Sequence, residues 1–369
     1  MKSNLKHISA AAGVLFAGSL VLTACSNADN SSSNGEGGSE SNYEMTDATG
    51  ELAGEGASSQ QNAMENVFGP AFSASGSSLA YNSTGSGAGQ TQFVAGQVAF
   101  AGSDSPLKDE QIEDAKKRCE GNDAWHLPMV IGPVAIAYNL DGVDELNLST
   151  ETIAKIFKGD IKKWNDQAIA AENEGVELPD QDISVVYRSD ESGTSDNFQK
   201  FLKASAGDIW EDEGKAFPTA TGSGANGSTG VADQVAATPG AITYVESGFA
   251  KERDELGMAK IDFGAGPVEL SKDTVNAALS AAKFEGEGHN LVVDSEALYS
   301  ENGEGQYPLV LTTYEIVCSA GYDENTAGLV KNFLYTILDN QNEDLENAGY
   351  IPVDGDFKAK LEEAVKALG

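Results

Sequence analysis

Cations are scarce in this chain. Its 369 residues hold 23 Lys and Arg against 58 Asp and Glu, a formal net charge of −35. No basic stripe exists to displace counterions from a phosphate backbone, so nucleic acid is excluded as a partner. Histidine is equally sparse, at three. His7 lies in the leader described below, and His126 and His289 stand alone without ligand spacing, which argues against zinc or any other metal. The same isolation leaves a Ser-His-Asp hydrolase without its base. Of the three cysteines, Cys25 directly follows the leader as the expected lipidation site, leaving Cys119 and Cys318 as one pair. Long apolar runs are confined to the first residues, so no membrane span follows them. No internal repeat is visible.

What is present begins with an export signal. Lys2 and Lys6 precede an apolar stretch from Ile8 to Val21, and Leu22-Thr23-Ala24-Cys25 closes it. Its brevity and small final residues read as a cleaved signal, residues 1–24, rather than a spanning helix. The tetrapeptide resembles a bacterial lipobox, so Cys25 is the expected lipidation site. Loss of membrane retention in Cys25→Ala is the check. Residues 25–43, rich in Ser, Gly and Asn, carry too little apolar surface to order and form a tether. In an exported chain a Cys119–Cys318 bridge is expected in preference to two free thiols.

From residue 44 onward β-rich runs alternate with amphipathic stretches. The former are Gln97–Gly102, Pro133–Leu140, Ile183–Tyr187, Ala241–Val245 and Leu309–Cys318; the latter include Thr150–Phe157, Asp196–Ala204, Thr274–Ala282 and Asn325–Leu338. This order implies an α/β protein with mostly parallel sheets. The length exceeds what one core usually organises, so two domains are expected.

Three Ser/Gly-rich segments share a design. Gly54–Ser59, Ser83–Gly89 and Ser192–Ser195 each place small residues and hydroxyls directly ahead of a helical pattern. Helix starts offer free N–H groups and partial positive charge to an anion. The third segment adds Arg188, a guanidinium fork suited to an oxyanion. A fourth loop, 222–230, reads as a cap or scaffold. Asp190 sits inside the third segment, and Asp104 lies in Gly102-Ser103-Asp104-Ser105-Pro106-Leu107. Each alone has an ordinary explanation: Asp190 pairs with Arg188, and Asp104 opens a turn before Pro106. Together they suit phosphate. Near neutral pH that anion keeps a hydroxyl proton, which an acceptor-only carboxylate can bind. Sulfate has none and would be repelled.

These residues resemble the phosphate-binding lipoproteins of high-affinity phosphate ABC importers, the PstS family. The likeness spans about residues 50–355. It is carried by Gly54-Glu55-Gly56-Ala57-Ser58, Tyr81 to Gly89, Phe100 to Leu107 and, most specifically, Arg188 to Ser195. Flanking landmarks agree at Gly159–Asp166, Pro239–Ile242 and Tyr307–Leu309.

The resemblance implies a two-domain periplasmic-binding-protein-like (Venus-flytrap) α/β fold with two crossing hinge strands, near Val134–Tyr138 and Pro308–Thr312. Lobe I would comprise residues 44–134 plus 311–369, and lobe II residues 135–310. Implied phosphate ligands are Ser58, Ser59, Ser86, Asp104, Arg188, Ser192, Gly193 and Thr194. Asp104 would accept the phosphate proton, and Asp190 would orient Arg188. Ser59 stands where the family often has Phe, which implies a main-chain contact. Glu191 stands where a glycine is frequent, and is tolerable if it faces solvent.

The implied function is a non-enzymatic, cofactor-free solute-binding lipoprotein. It would be a monomer held by lipid on the outer face of the bacterial cytoplasmic membrane, passing inorganic phosphate to a membrane permease. Alternatives are the same scaffold binding another oxyanion (sulfate, molybdate, a phosphonate) or a surface phosphate sensor or adhesin. A phosphoester hydrolase using Ser192 or Ser86 lacks a placed general base.

Overall fold

The computed structural model describes residues 41–218, 220–280, 282–300 and 303–369. The signal, Cys25 and most of the tether lie outside the described residues. Twelve strands are present among those described: β1 (Glu51–Gly56), β2 (Ser78–Asn82), β3 (Phe100–Ser103), β4 (Ala124–Tyr138), β5 (Asn147–Ser149), β6 (Ser184–Arg188), β7 (Ser223–Ala225), β8 (Ala241–Glu246), β9 (Gly257–Met258), β10 (Lys260–Asp262), β11 (Pro267–Val268) and β12 (Val310–Cys318). Nine form one sheet in the order β2-β1-β3-β12-β4-β8-β6-β7, with β9 also on β4; β11-β10-β5 form a second.

β4 organises the main sheet. Its sequence AWHLPMVIGPVAIAY is buried from His126 onward, the near-continuous apolar run expected of a strand covered on both faces. From Ala124 to Pro133 it pairs antiparallel with β12, and from Val134 to Tyr138 with β8. One strand therefore belongs to two half-sheets and changes partner at Pro133/Val134. The pairing with β12 shifts register between Thr313 and Tyr314, opposite Pro128, a residue that cannot donate to the ladder. The resulting bulge turns Thr313 toward the site described below.

The sheet is mixed, which corrects the expectation of mostly parallel pairing. Parallel pairs occupy the flanks, β2-β1-β3 and β8-β6-β7. The central pairs β3-β12, β12-β4 and β4-β8 are antiparallel, because β4 and β12 traverse the molecule in opposite directions. Helices connect the parallel strands. Ser58–Ala74 is a composite run with a π turn at Met64–Phe68, and Ser86–Val94, Gly193–Ala206 and Gly227–Ala236 follow β2, β6 and β7.

Cys119 and Cys318 form the expected disulfide, with Cα atoms 5.4 Å apart. It ties the end of helix Asp109–Arg118 to the last residue of β12. His126 is a packing residue. Its Nε2 accepts from the Leu107 N–H at 2.9 Å, its Nδ1 lies 2.8 Å from Asn290 Oδ1, and burial pushes its pKa down to about 4. No group of metal-ligating side chains is found among the described residues.

Candidate functional site

Four helix starts meet beyond the carboxyl ends of the parallel strands, the usual ligand position in open α/β sheets. β1 leads into Ser58, β2 into Ser86, β6 into Gly193 and β7 into Gly227. Two glycines permit the approach. Gly56, at φ 143°, leaves a Cβ position only 2.0 Å from the Gly102 carbonyl oxygen; a Cβ on Gly193 would lie 2.4 Å from Ser86 Oγ and 2.7 Å from Asp104 Oδ2. Side chains are forbidden at both by space, and at Gly56 by conformation as well.

Asp104 follows β3 and is buried. Its Oδ1 accepts from Ser59 Oγ (2.6 Å) and Thr313 Oγ1 (2.7 Å), while Oδ2 accepts from Ser86 Oγ (3.1 Å). Burial, reinforced by the nearby Glu246 charge and opposed by the Ser59 bond, raises its pKa from 3.8 to about 6. Asn197 holds its backbone, donating to the Asp104 carbonyl at 2.6 Å.

Arg188 ends β6 with its side chain 2% exposed. Nε and Nη2 reach the two oxygens of Asp190 at 2.8 and 2.5 Å; Nη1 reaches Thr194 Oγ1 (3.3 Å) and Ser228 Oγ (3.2 Å). Burial alone would raise the Asp190 carboxyl, but the Arg188 bonds outweigh it and hold it below the usual range. Asp190 thus meets the guanidinium at two points, and it also accepts from the Gly227 N–H at 3.1 Å.

At the third helix start, Ser192 caps Gly193–Ala206 through Oγ, which accepts from Ser195 N–H. Gly193 and Thr194 are in the first turn, where N–H groups have no intrahelical acceptor. The Thr194 hydroxyl donates to Glu246 Oε1 at 2.6 Å. Ser58 Oγ lies 3.2 Å from Ser228 Oγ and accepts from the Ser228 N–H at 3.1 Å.

All eight sequence-proposed contact residues therefore converge, with differences of detail. The Ser59 hydroxyl is spent on Asp104 (2.6 Å), and its carbonyl accepts from Tyr350 at 2.6 Å. Glu191 is exposed, and its carbonyl accepts from Gly87 N–H at 3.0 Å. The 222–230 loop, read as scaffold, delivers Ser228 to Arg188. Its Asn-Gly-Ser-Thr-Gly run ahead of an apolar pattern had the same signal as the other three loops. Sequence reading also missed Glu246, Thr313 and Lys215, all in ordinary strand or loop contexts. Buried Lys215 donates to Gln90 Oε1 at 2.7 Å, and burial lowers its pKa. That bond, with Ser105 Oγ to Asp196 Oδ2 (2.6 Å), brings the β1–β3 side against the β6–β8 side around the cluster.

Buried serine hydroxyls, helix-start N–H groups, one guanidinium and the buried Asp104 carboxylate come together here, a set of groups suited to an oxyanion, in a binding-protein fold. The model of the PBP superfamily domain matches residues 41–341. The chain belongs to this superfamily and, within it, to the PstS phosphate-binding proteins. It is 44% identical to phosphate-binding protein PstS2 of Mycobacterium bovis over 97% of this chain and 98% of that one. It is 42% identical to PstS 3 of Mycobacterium tuberculosis over 99% of both. Among solved structures, a high affinity periplasmic phosphate-binding protein (PfluDING) bound with phosphate superposes with a TM-score of 0.69 at 23% identity, covering 85% of this chain and 93% of its own. A phosphate binding protein from Stenotrophomonas maltophilia gives 0.66 at 20%, with the same coverage. Both support the two-domain α/β fold.

Proposed function

We propose that this protein is a solute-binding component, not an enzyme, that captures inorganic phosphate and hands it to the permease of an ABC importer. The observation that carries the reading is the placement of Asp104 against Gly193, at the mouth of the Ser192–Thr194 helix start and beside Arg188. Donors alone would take any oxyanion. A buried carboxylate among them selects one that still bears a proton. Among the described residues Asp104 Oδ2 takes a hydrogen bond only from Ser86, leaving capacity for a ligand O–H. The relatives' names support the same ligand.

Ser58, Ser86, Arg188, Gly193 and Thr194 would supply donors, with Ser192 capping and Ser59 holding Asp104. Residues 44–134 plus 311–369 and residues 135–310 would act as the two lobes, hinged where β4 changes partner and where β12 begins. One refinement follows from the hydrogen bonds. Leu291 N–H donates to His126 O (3.0 Å) and Val293 N–H to Tyr314 Oη (3.1 Å), so the stretch around 284–293 would travel with the first lobe. Lipidation at Cys25 would hold the monomer on the outer face of the cytoplasmic membrane. No described helix is long and apolar enough to cross one.

Comparing the wild type with Asp104→Asn tests the ligand assignment. In the variant phosphate affinity should fall and the preference for phosphate over sulfate should narrow, since an amide can donate to a bare oxygen. Unchanged discrimination would remove the selectivity argument and favour a general oxyanion receptor.

A further inference from the structure

Lys215 is the one buried lysine among the described residues. Nearby, Lys200 and Lys203 pair with Asp196 and Glu213, whereas Lys215 Nζ donates to the neutral Gln90 Oε1 at 2.7 Å. Burying an ammonium against an amide rather than an acid is costly, so stability alone does not account for the contact. The backbone of Lys215 is fixed from one side of the molecule. Its carbonyl accepts from the Ser192 N–H at 3.1 Å, and Gln199 Nε2 donates to the flanking carbonyls of Gly214 (2.6 Å) and Ala216 (3.2 Å). Ser192 and Gln199 belong to the Gly193–Ala206 helix and its cap. The side chain ends on the other side. Gln90 lies one turn after Ser86 on helix Ser86–Val94, and its Nε2 donates to Ser103 Oγ and the Ser105 carbonyl, both at 2.8 Å. Those two bonds decide which end of the amide is oxygen, so Oε1 faces Lys215 and requires a donor there. Ser103 and Ser105 flank Asp104. One side chain therefore links the cap of the third helix start to the turn that carries Asp104, and Ser105 Oγ to Asp196 Oδ2 (2.6 Å) runs alongside it.

We propose that Lys215 is a latch between the two lobes, its bond to Gln90 forming when they close on phosphate and setting how long the anion stays. This rests on the phosphate and two-lobe readings above and names a positioning residue for them. Lys215 acts through Gln90 on the Asp104 turn and is assigned no contact with the anion. When the lobes part, the ammonium and the Gln90 carbonyl both return to water, so the bond contributes nothing to the open form. In the closed form it is a buried hydrogen bond from a charged donor, stronger than a neutral one. Being made after encounter, it acts on escape rather than on capture. A neutral acceptor suits a contact that is broken at each release, since a carboxylate in its place would hold an empty cleft shut.

The experiment follows capture of radiolabelled inorganic phosphate by the anion-stripped full chain, and its release into excess unlabelled phosphate, for wild type and Lys215→Met. The variant should release phosphate about tenfold faster while capture stays within about twofold, the effect of losing one bond to a charged donor made after encounter. Thermal melting of the anion-stripped proteins separates a latch from a structural prop. Their midpoints should agree, because the bond is open in that state. Equal release rates overturn the proposal while leaving phosphate recognition standing, and so does slower capture with unchanged release. A lowered midpoint in the anion-stripped variant, with capture and release both altered, overturns it as well. If Lys215→Met does not melt cooperatively, Lys215→Gln, which shortens the arm and removes its charge, is read by the same criteria. A wild type that retains no labelled phosphate would instead overturn the underlying reading and this proposal with it.

Discussion

At the scale of single residues, the site is a balance of buried charges in which Arg188 is the central cation. Truncating it to Ala would leave Asp190 buried without its partner, a loss of about 3–5 kcal/mol of stability by the usual cost of breaking such a pair. Thermal denaturation should show this, together with loss of phosphate binding; Asp190→Asn should be milder. Ser228→Ala removes only one neutral hydroxyl from Arg188 and Ser58, so affinity should fall by about 2- to 10-fold. A titration that found no change would return the 222–230 loop to a scaffold role. Asp104 contributes a pH dependence. Burial raises its pKa from 3.8 to about 6, so the folded, ligand-free protein holds this proton more tightly than the unfolded chain. Its contribution to stability is full below 3.8 and is lost as pH rises toward 6, about 3 kcal/mol for two units. Asp104→Asn should flatten that part of the stability profile in denaturant titrations. The sequence made Asp104, Arg188 and the serines legible because each stands in a Gly/Ser loop where an acid or cation is unexpected. Glu246 and Thr313 were illegible. A Glu closing an apolar strand and a Thr within one carry no local mark, and only the partner change of β4 and the bulge opposite Pro128 bring them inward.

At the scale of elements, β12 hides a second device. Glu315 is fully buried, both of its carboxyl oxygens lack partners, and burial pushes its pKa well above the ordinary range. It shares a strand face with Thr313 and lies by Gln60, whose Oε1 is likewise unpartnered. Being raised, its contribution to stability is present at low pH and is lost as pH climbs through the elevated value. Glu315→Gln should therefore melt higher than wild type under alkaline conditions and near the wild-type temperature at acid pH. A variant less stable at every pH would show that the carboxyl itself is required. Most elements around β12 were readable from period and punctuation. The helices at 150–158, 193–206 and 324–339 matched apolar spacing, and Gly159, at φ 86°, ends the first. Strands β1 and β2 escaped because ELAGEG and SLAYN are short, small-residued and only partly buried. Their identity comes from parallel pairing, which no local pattern announces. Antiparallel pairing at the sheet centre escaped for the same reason.

At the scale of the whole molecule, the Cys119–Cys318 bridge joins positions 199 apart in sequence and closes a loop that contains all of β4, the whole β6–β8 half-sheet and β12. A cross-link spanning so long a loop restricts the unfolded chain strongly, and its removal should cost about 2–5 kcal/mol. Reduction, or Cys119→Ala with Cys318→Ala, should lower the midpoint of denaturation while leaving phosphate affinity nearly intact, since the bridge is away from the cluster. A matching loss of affinity would mean that the arrangement of the cluster depends on it. The acidic surface does not contradict an anion ligand. The Debye length at physiological salt is about 8 Å, so buried donors govern recognition and net charge governs solubility. The most direct test is calorimetric titration of anion-stripped protein with phosphate and then with sulfate at neutral pH. Tight one-to-one phosphate binding without sulfate heat is the expected result. Comparable heats from both anions, or none from phosphate, would contradict recognition of the ligand by its proton.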